Sequence, residues 1–203
     1  MQYFVVSGMK KFLSTLVIIF LSFEGMSQNI DINLLKEINV NRNKNLDGTF
    51  LFFTHSDIPV CIGSPLITAG IGLLKKDSAL TRKGLYMSAT FVVASGISVV
   101  MKYGINRDRP FVNYPFIEKM TDGGSPSFPS GHTSSAFAAA TSLSLAFPKW
   151  YVIAPSFIWA SGVGYSRMHL GVHYPSDVLA GAIIGAGSAY VCHKINLWLV
   201  NRK

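Results

Sequence analysis

Charge is scarce in this chain: Asp, Glu, Lys and Arg make up 14% of its residues, where a soluble domain usually carries ~25%. Acid is the scarcer sign, with 10 acidic against 18 basic residues and a net charge of +8. So little charge beside 49% apolar residues and a mean hydropathy of +0.35 argues against a freely soluble domain. A membrane-embedded or heavily buried bundle fits better. Cysteine is nearly absent as well. Cys61 and Cys192 lie inside apolar stretches with no ligand residue at metal spacing, so neither a disulfide framework nor a cysteine metal site is supported. Internal repeats, low-complexity tracts and regular apolar–polar alternation are also missing, and strands therefore find no support. The basic residues are dispersed, without a nucleic-acid-binding motif. The surplus positive charge thus points to phosphates or anionic lipid and not to nucleic acid.

What is present begins with a targeting segment. Lys10 and Lys11 precede a largely apolar run from Phe12 to Phe23, and Gly25-Met26-Ser27 offers a small-x-small cleavage site. Residues 1–27 therefore read as a signal peptide or, uncleaved, as an N-terminal anchor, the run being short for a spanning helix. Residues 28–57 are polar and Asn-rich. They read as a lead-in on the membrane surface, with an amphipathic helix around Ile32 to Val40 and an aromatic cluster at Phe50, Phe52 and Phe53. Residues 58–203 form the main domain, with apolar segments at about 58–74, 84–105, 132–147, 151–165 and 176–200. Their length excludes ordinary strands. The expected fold is all-α: a membrane-embedded helical bundle of about five transmembrane helices, or six with an uncleaved signal. A buried soluble bundle is the alternative, because several segments hold few apolar residues.

Positive charge orients the segments. Lys75, Lys76, Arg82 and Lys83 flank one connection, Lys149 sits in a second, and Arg202 and Lys203 end the chain. Assigning all of these to the cytoplasm satisfies the positive-inside bias. Three polar stretches then gather on the opposite face. Gly181 and Gly185, with Ala182 and Ala186, form a small-residue stripe for close helix packing.

The first stretch runs from Lys102 to Arg109 and Pro110. Asn106 to Pro110 breaks the preceding helix, so Lys102 rises from its end while Arg109 curls over it. Arginine offers a planar fork to phosphate oxygens, and lysine a point charge. By themselves these cations also read as snorkelling interfacial residues, as Arg107 does. In the second stretch, Pro129-Ser130-Gly131-His132, Ser130 stands at a helix N-cap and Gly131 lets backbone approach a ligand. Such a terminus favours an anion, although a plain capped helix with a surface histidine reads equally well. In the third, Pro175 suits a first helical position, which puts His173 before the helix and Asp177 in its first turn. At that spacing the carboxylate reaches one imidazole nitrogen and frees the other to attack phosphorus. Arg167 ends the preceding helix on the same face. The plain reading of Asp177 is an acid complementing a helix dipole.

Jointly, Lys-x6-Arg-Pro, Pro-Ser-Gly-His and Ser-Arg-x5-His-x3-Asp resemble the type 2 phosphatidic acid phosphatase and vanadium haloperoxidase superfamily, over roughly residues 50 to 200. The resemblance implies an all-helical fold with one metal-free phosphate site and no cofactor. It implies that Lys102, Arg109 and Arg167 hold phosphate oxygens with Ser130 and the Gly131 amide. It makes His173 the nucleophile, Asp177 its orienter and His132 the acid for the leaving group. His169 matches no motif position and reads as structural. The expected activity is metal-independent hydrolysis of a lipid phosphate or diphosphate through a phosphohistidine, in a bacterial inner membrane with the site facing the periplasm. A soluble periplasmic acid phosphatase and a vanadate-dependent haloperoxidase are the alternatives within the same superfamily. A non-catalytic headgroup-binding protein would need only the cations.

Overall fold

The computed structural model describes residues 30–202, and all regular structure among them is helical. The signal-like segment 1–27 lies outside the described residues. Helix α1 spans 30–39. A short 3-10 turn, Lys44–Leu46, leads into α2 (Asp47–Leu74), followed by α3 (Ser78–Ile105), a single turn α4 (Pro110–Asn113), α5 (Gly131–Ala146), α6 (Trp150–His169) and α7 (Pro175–Asn201).

Local chemistry sets the ends of these helices. Asp77 caps α3 by accepting from the Ala79 and Leu80 amides at 2.9 and 3.0 Å, a contact worth ~1 kcal/mol. Asn106 closes α3 in the left-handed conformation, φ 51°, which asparagine tolerates better than most residues. Ser130 caps α5, and prolines open α4 and α7.

The bundle is inverted relative to a soluble one. Its central helix, α5, buries Thr133, Ser134, Ser135, Ala136, Ala138, Ala140, Ser142, Ser144 and Ala146, and it packs on α2, α3, α6 and α7. Outside, large apolar side chains face away from protein: Leu74 is 87% exposed, Val100 72% and Ile183 64%. Hydrocarbon tolerates that surface and water does not, so small residues inside and large ones outside mark a membrane bundle. Gly181 lies where a Cβ would meet the Ser130 carbonyl oxygen at 2.6 Å, and Gly185 packs as tightly on Ser134. The small-residue stripe does seat α7 on α5.

All five expected segments are helices. Three of the described helices are long and apolar enough to cross a membrane, those built on α2, α3 and α7. Helix α5 has 16 residues, which is ~24 Å at 1.5 Å per residue and short of a ~30 Å hydrocarbon core. Helix α6 has 20, with Pro155 inside it, but is not apolar enough to count among the three. These two sit among the longer helices.

The amino-terminal region differs most from its expectation. Helix α2 starts at Asp47, so the boundary drawn at 57/58 falls inside it. Phe50 stacks on His169 and Tyr165 of α6, with ring centroids 4.3 and 5.0 Å apart, and does not lie on a separate surface segment. Helix α1 turns its buried residues inward. Ile32 and Leu35 pack with Ile117 and Tyr174, while the Asn39 amide donates to the carbonyls of His169 and Glu118 at 2.8 and 3.1 Å. An amphipathic pattern fits a membrane surface or a protein surface equally well, and here protein is what α1 covers.

Candidate active site

The α6–α7 connection is a tight turn. Gly171 has φ 73°, and a Cβ there would strike the Glu118 carbonyl oxygen, so only glycine fits comfortably. The turn delivers His173, which is 2% exposed. Its Nδ1 lies 3.4 Å from Asp177 Oδ2, and its Nε2 lies 3.4 Å from an Arg109 guanidinium nitrogen. A proton on Nδ1 satisfies Asp177 and leaves the Nε2 lone pair toward the cations. Burial pushes the His173 imidazole down to about 3, against the upward pull of its hydrogen bond and charge contact with Asp177; Arg109 and Arg167 add to the lowering. The ring is therefore neutral at any ordinary pH.

Asp177 is held on every side. Its Oδ2 also accepts from the Tyr174 amide at 2.9 Å and the Ser127 hydroxyl at 2.5 Å. Its Oδ1 accepts from Arg107 at 2.7 Å. A carboxylate so saturated has one orientation available.

Three cations converge beside this histidine, each held by backbone carbonyls. Lys102 donates to the Pro126 carbonyl at 2.6 Å, and Arg109 to those of Ser125 and Val172 at 2.8 and 2.9 Å. Arg167 donates to the Thr54 hydroxyl at 2.8 Å and the Asp122 carbonyl at 3.4 Å, while its Nε is buried without a partner. That guanidinium therefore keeps donor capacity in reserve for an anion. Gly123 makes room for Arg109: a Cβ at 123 would lie 2.7 Å from the guanidinium.

The mouth of α5 faces the same cluster. The Ser130 oxygen accepts from Thr133 Oγ1 at 2.8 Å and from the Thr133 amide at 3.4 Å, which leaves its own hydrogen to donate. The Ser130 amide donates to the Asp177 carbonyl at 3.0 Å and so ties the second stretch to the third. A Cβ on Gly131 would meet Lys102 Cε at 3.8 Å. His132 stands in the first turn of α5, where burial, and after it the charges of Arg167, Arg109 and Lys102, push its imidazole down to about 3. Below it, Ser135 donates to both carboxylate oxygens of Asp57 at 2.8 Å. His169 contacts Asp47 at 2.8 Å, the structural place expected for it.

The structure thus brings Lys102, Arg109, Ser130, Gly131, His132, Arg167, His173 and Asp177 to one end of the bundle. Sequence reasoning missed Ser127, Thr54 and Asp57, and it placed Arg107 wrongly. Arg107 does not snorkel. It pairs with Asp177 and with Asp31 at 2.8 Å and lies 3.9 Å over the Tyr174 ring. Asp57 carried at most a weak signal, an acid bordering the apolar segment that begins at 58.

A family profile described as the PAP2 superfamily matches residues 83–200. The chain is 34% identical over 184 residues to the undecaprenyl-diphosphatase of Sulfolobus acidocaldarius, covering 87% of this chain and 84% of that one. A solved transmembrane PAP2-type phosphatidylglycerolphosphate phosphatase from Bacillus subtilis superposes with a TM-score of 0.72 at 27% identity, over 91% of this chain and 93% of that one. LpxE of Aquifex aeolicus superposes with a TM-score of 0.67 at 26% identity, over 81% and 95%.

Proposed function

The chain belongs to the PAP2 superfamily and is a membrane phosphatase of phosphorylated lipids; from that premise we propose a metal-free reaction through a phosphohistidine at the outer face of a bacterial inner membrane. The observation that carries the mechanism is the placement of His173, with Nδ1 against Asp177 and Nε2 turned to Arg109.

The Nε2 lone pair attacks phosphorus in line, forming an N–P bond as the bond to the leaving oxygen breaks. Lys102, Arg109 and Arg167 exchange their carbonyl partners for equatorial phosphate oxygens and balance the charge that develops there. The Ser130 hydroxyl and the Gly131 amide, at the N-terminus of α5, add donors. His132, lowered to about 3 by burial and the three cations, takes up its proton when the anionic phosphate offsets their charge, and gives it to the departing oxygen. Now neutral, it takes a proton from a water molecule whose oxygen displaces Nε2, releasing phosphate and restoring both rings. Three cations provide the charge stabilisation a divalent metal would otherwise supply.

The relative matched along 87% of this chain acts, by its name, on undecaprenyl diphosphate, which puts polyprenyl diphosphates first in a substrate panel beside phosphatidic acid, phosphatidylglycerol phosphate and lipid A phosphates. Phosphate release from detergent-purified protein reads the panel. Brief reaction with a labelled substrate followed by mass spectrometry should find phosphate on His173; a label elsewhere, or none in an enzyme that turns over, refutes the intermediate.

The outward-facing site rests on the basic residues at the far end of the bundle. Single cysteines at Asn113 and Ser78, in a variant lacking Cys61 and Cys192, report on it. An impermeant thiol reagent should label position 113 in cells with a permeabilised outer envelope and spare position 78. The reverse pattern moves the site to the cytoplasm.

A further inference from the structure

The residues matched by the family profile begin at 83, yet one of the best-connected carboxylates near the site lies far upstream. Asp31, in α1, is 5% exposed. Its Oδ1 accepts from the Ser176 amide at 2.8 Å, and its Oδ2 accepts from the Ser176 hydroxyl and from Arg107 at 2.8 Å. The Ser176 amide belongs to the first turn of α7, where backbone donors have no partner within the helix. Tyr174 gives that helix no capping oxygen of its own. Asp177 reaches back to the Tyr174 amide and Asp31 supplies the Ser176 amide, so two carboxylates divide the work of a cap.

Arg107 joins the two acids. One terminal nitrogen donates to Asp177 Oδ1 and to the Ser176 hydroxyl, each at 2.7 Å, and the other to Asp31 Oδ2. Its plane is pinned on the Tyr174 ring, and that ring packs among Ile32 and Leu35 of α1. Asp177 Oδ1 has Arg107 as its side-chain partner, whereas Oδ2 is shared among Ser127, Tyr174 and His173. The rotation of the carboxylate, and so the direction of His173 Nε2, depends on where Arg107 stands. A planar fork between two acids has little freedom.

We infer that Asp31 is a positioning residue for the nucleophile, acting through Arg107 on Asp177. The inference rests on the phosphohistidine mechanism proposed above. The side-chain hydrogen bonds of Lys102, Arg109 and Arg167 include none to Asp31 or Arg107, so loss of Asp31 reduces the rate of attack and leaves the phosphate cradle intact.

Asp31→Asn keeps shape and one acceptor but removes the charge that holds Arg107; Asp31→Glu restores the charge on a longer stem. Full-length protein in detergent is assayed on the best lipid of the panel, with orthovanadate inhibition and thermal unfolding measured alongside. For Asp31→Asn, kcat should fall about tenfold or more, as removal of an outer partner of a catalytic group does. KM and the vanadate inhibition constant should stay within about threefold, since uniform binding is untouched. Asp31→Glu should recover a clear part of kcat. Equal loss of turnover and vanadate affinity would mean that the site has collapsed, and kcat within about twofold of wild type would mean that Asp31 is idle; either result overturns the inference. Wild-type protein that binds vanadate but releases phosphate from no lipid would overturn both the reaction and the inference resting on it.

Discussion

His173 and His132 stand at the same end of the bundle, and the structure treats them differently. The loop carrying His173 is braced by α1, by Arg107, by Ser127 and by the first turn of α7, and its ring is enclosed. The mouth of α5 is fixed by Ser130 and by Ser135 on Asp57, and the His132 ring is less enclosed than that of His173. A nucleophile must hold one direction and one protonation state, which bracing and burial provide. An acid that becomes a base within one turnover must reach two different oxygens and change charge, which bracing would hinder. In the proposed reaction, rigidity is placed where the bond forms and withheld where the proton moves.

The widest test of that contrast is His173→Gln. It should cost roughly 10^4-fold or more in kcat, since in the proposed reaction no other group forms the N–P bond, while size-exclusion behaviour in detergent stays normal. Retention of more than a few per cent of activity removes His173 from its role.

His132→Ala should cost roughly 10^3-fold on a lipid phosphate, whose alkoxide leaves poorly without a proton. On p-nitrophenyl phosphate, whose phenolate leaves unaided, the loss should shrink to roughly tenfold. Equal losses on both substrates would deny His132 the acid role. The pH profile sharpens the point. Because burial lowers His173 to about 3, its reactive neutral form is present at every higher pH and is lost only below that value. Burial and the neighbouring cations lower His132 to about 3 as well, so His132 should leave kcat/KM flat over about pH 5 to 8. In the proposed reaction a bound anionic phosphate raises that ring, and it is kcat that should fall as pH rises and the proton leaves, a fall that should vanish in His132→Ala. Asp177→Asn should be milder than His173→Gln, at roughly 10^2-fold, because orientation is lost but the nucleophile remains. The smallest expected effect is that of chelation. Excess EDTA should leave activity unchanged, and loss restored by magnesium would end the metal-free mechanism.

Much of this contrast was legible in the sequence, but unevenly. Pro175 before Asp177, and Ser130 before a small-residue helix, announce two helix starts, and with Lys102, Arg109 and Arg167 they locate the site. The five helices follow from uninterrupted apolar length. What could not be read was anything depending on a partner far along the chain. Nothing local shows that Ser127 meets Asp177 across 50 residues, or that Asp31 meets Ser176 across 145. Arg107 looked like an interfacial cation because a snorkelling arginine and a buried one have the same neighbours in sequence. Helix α1 was misplaced for a similar reason, since periodicity reveals an apolar face but not what covers it.

The carbonyl oxygens that hold Lys102 and Arg109 also bear on product inhibition. The Ser125, Pro126 and Val172 carbonyls accept from these cations, which therefore do not lie bare in an enclosed space. They are the groups that inorganic phosphate must displace to remain after hydrolysis. Each oxygen of the departing product is thus replaced by a ready acceptor on the protein. Three cations around one anion would otherwise form a trap from which phosphate escapes slowly. With the carbonyls competing for the same donors, free phosphate should be a weak inhibitor of the proposed reaction, with an inhibition constant well above that of orthovanadate.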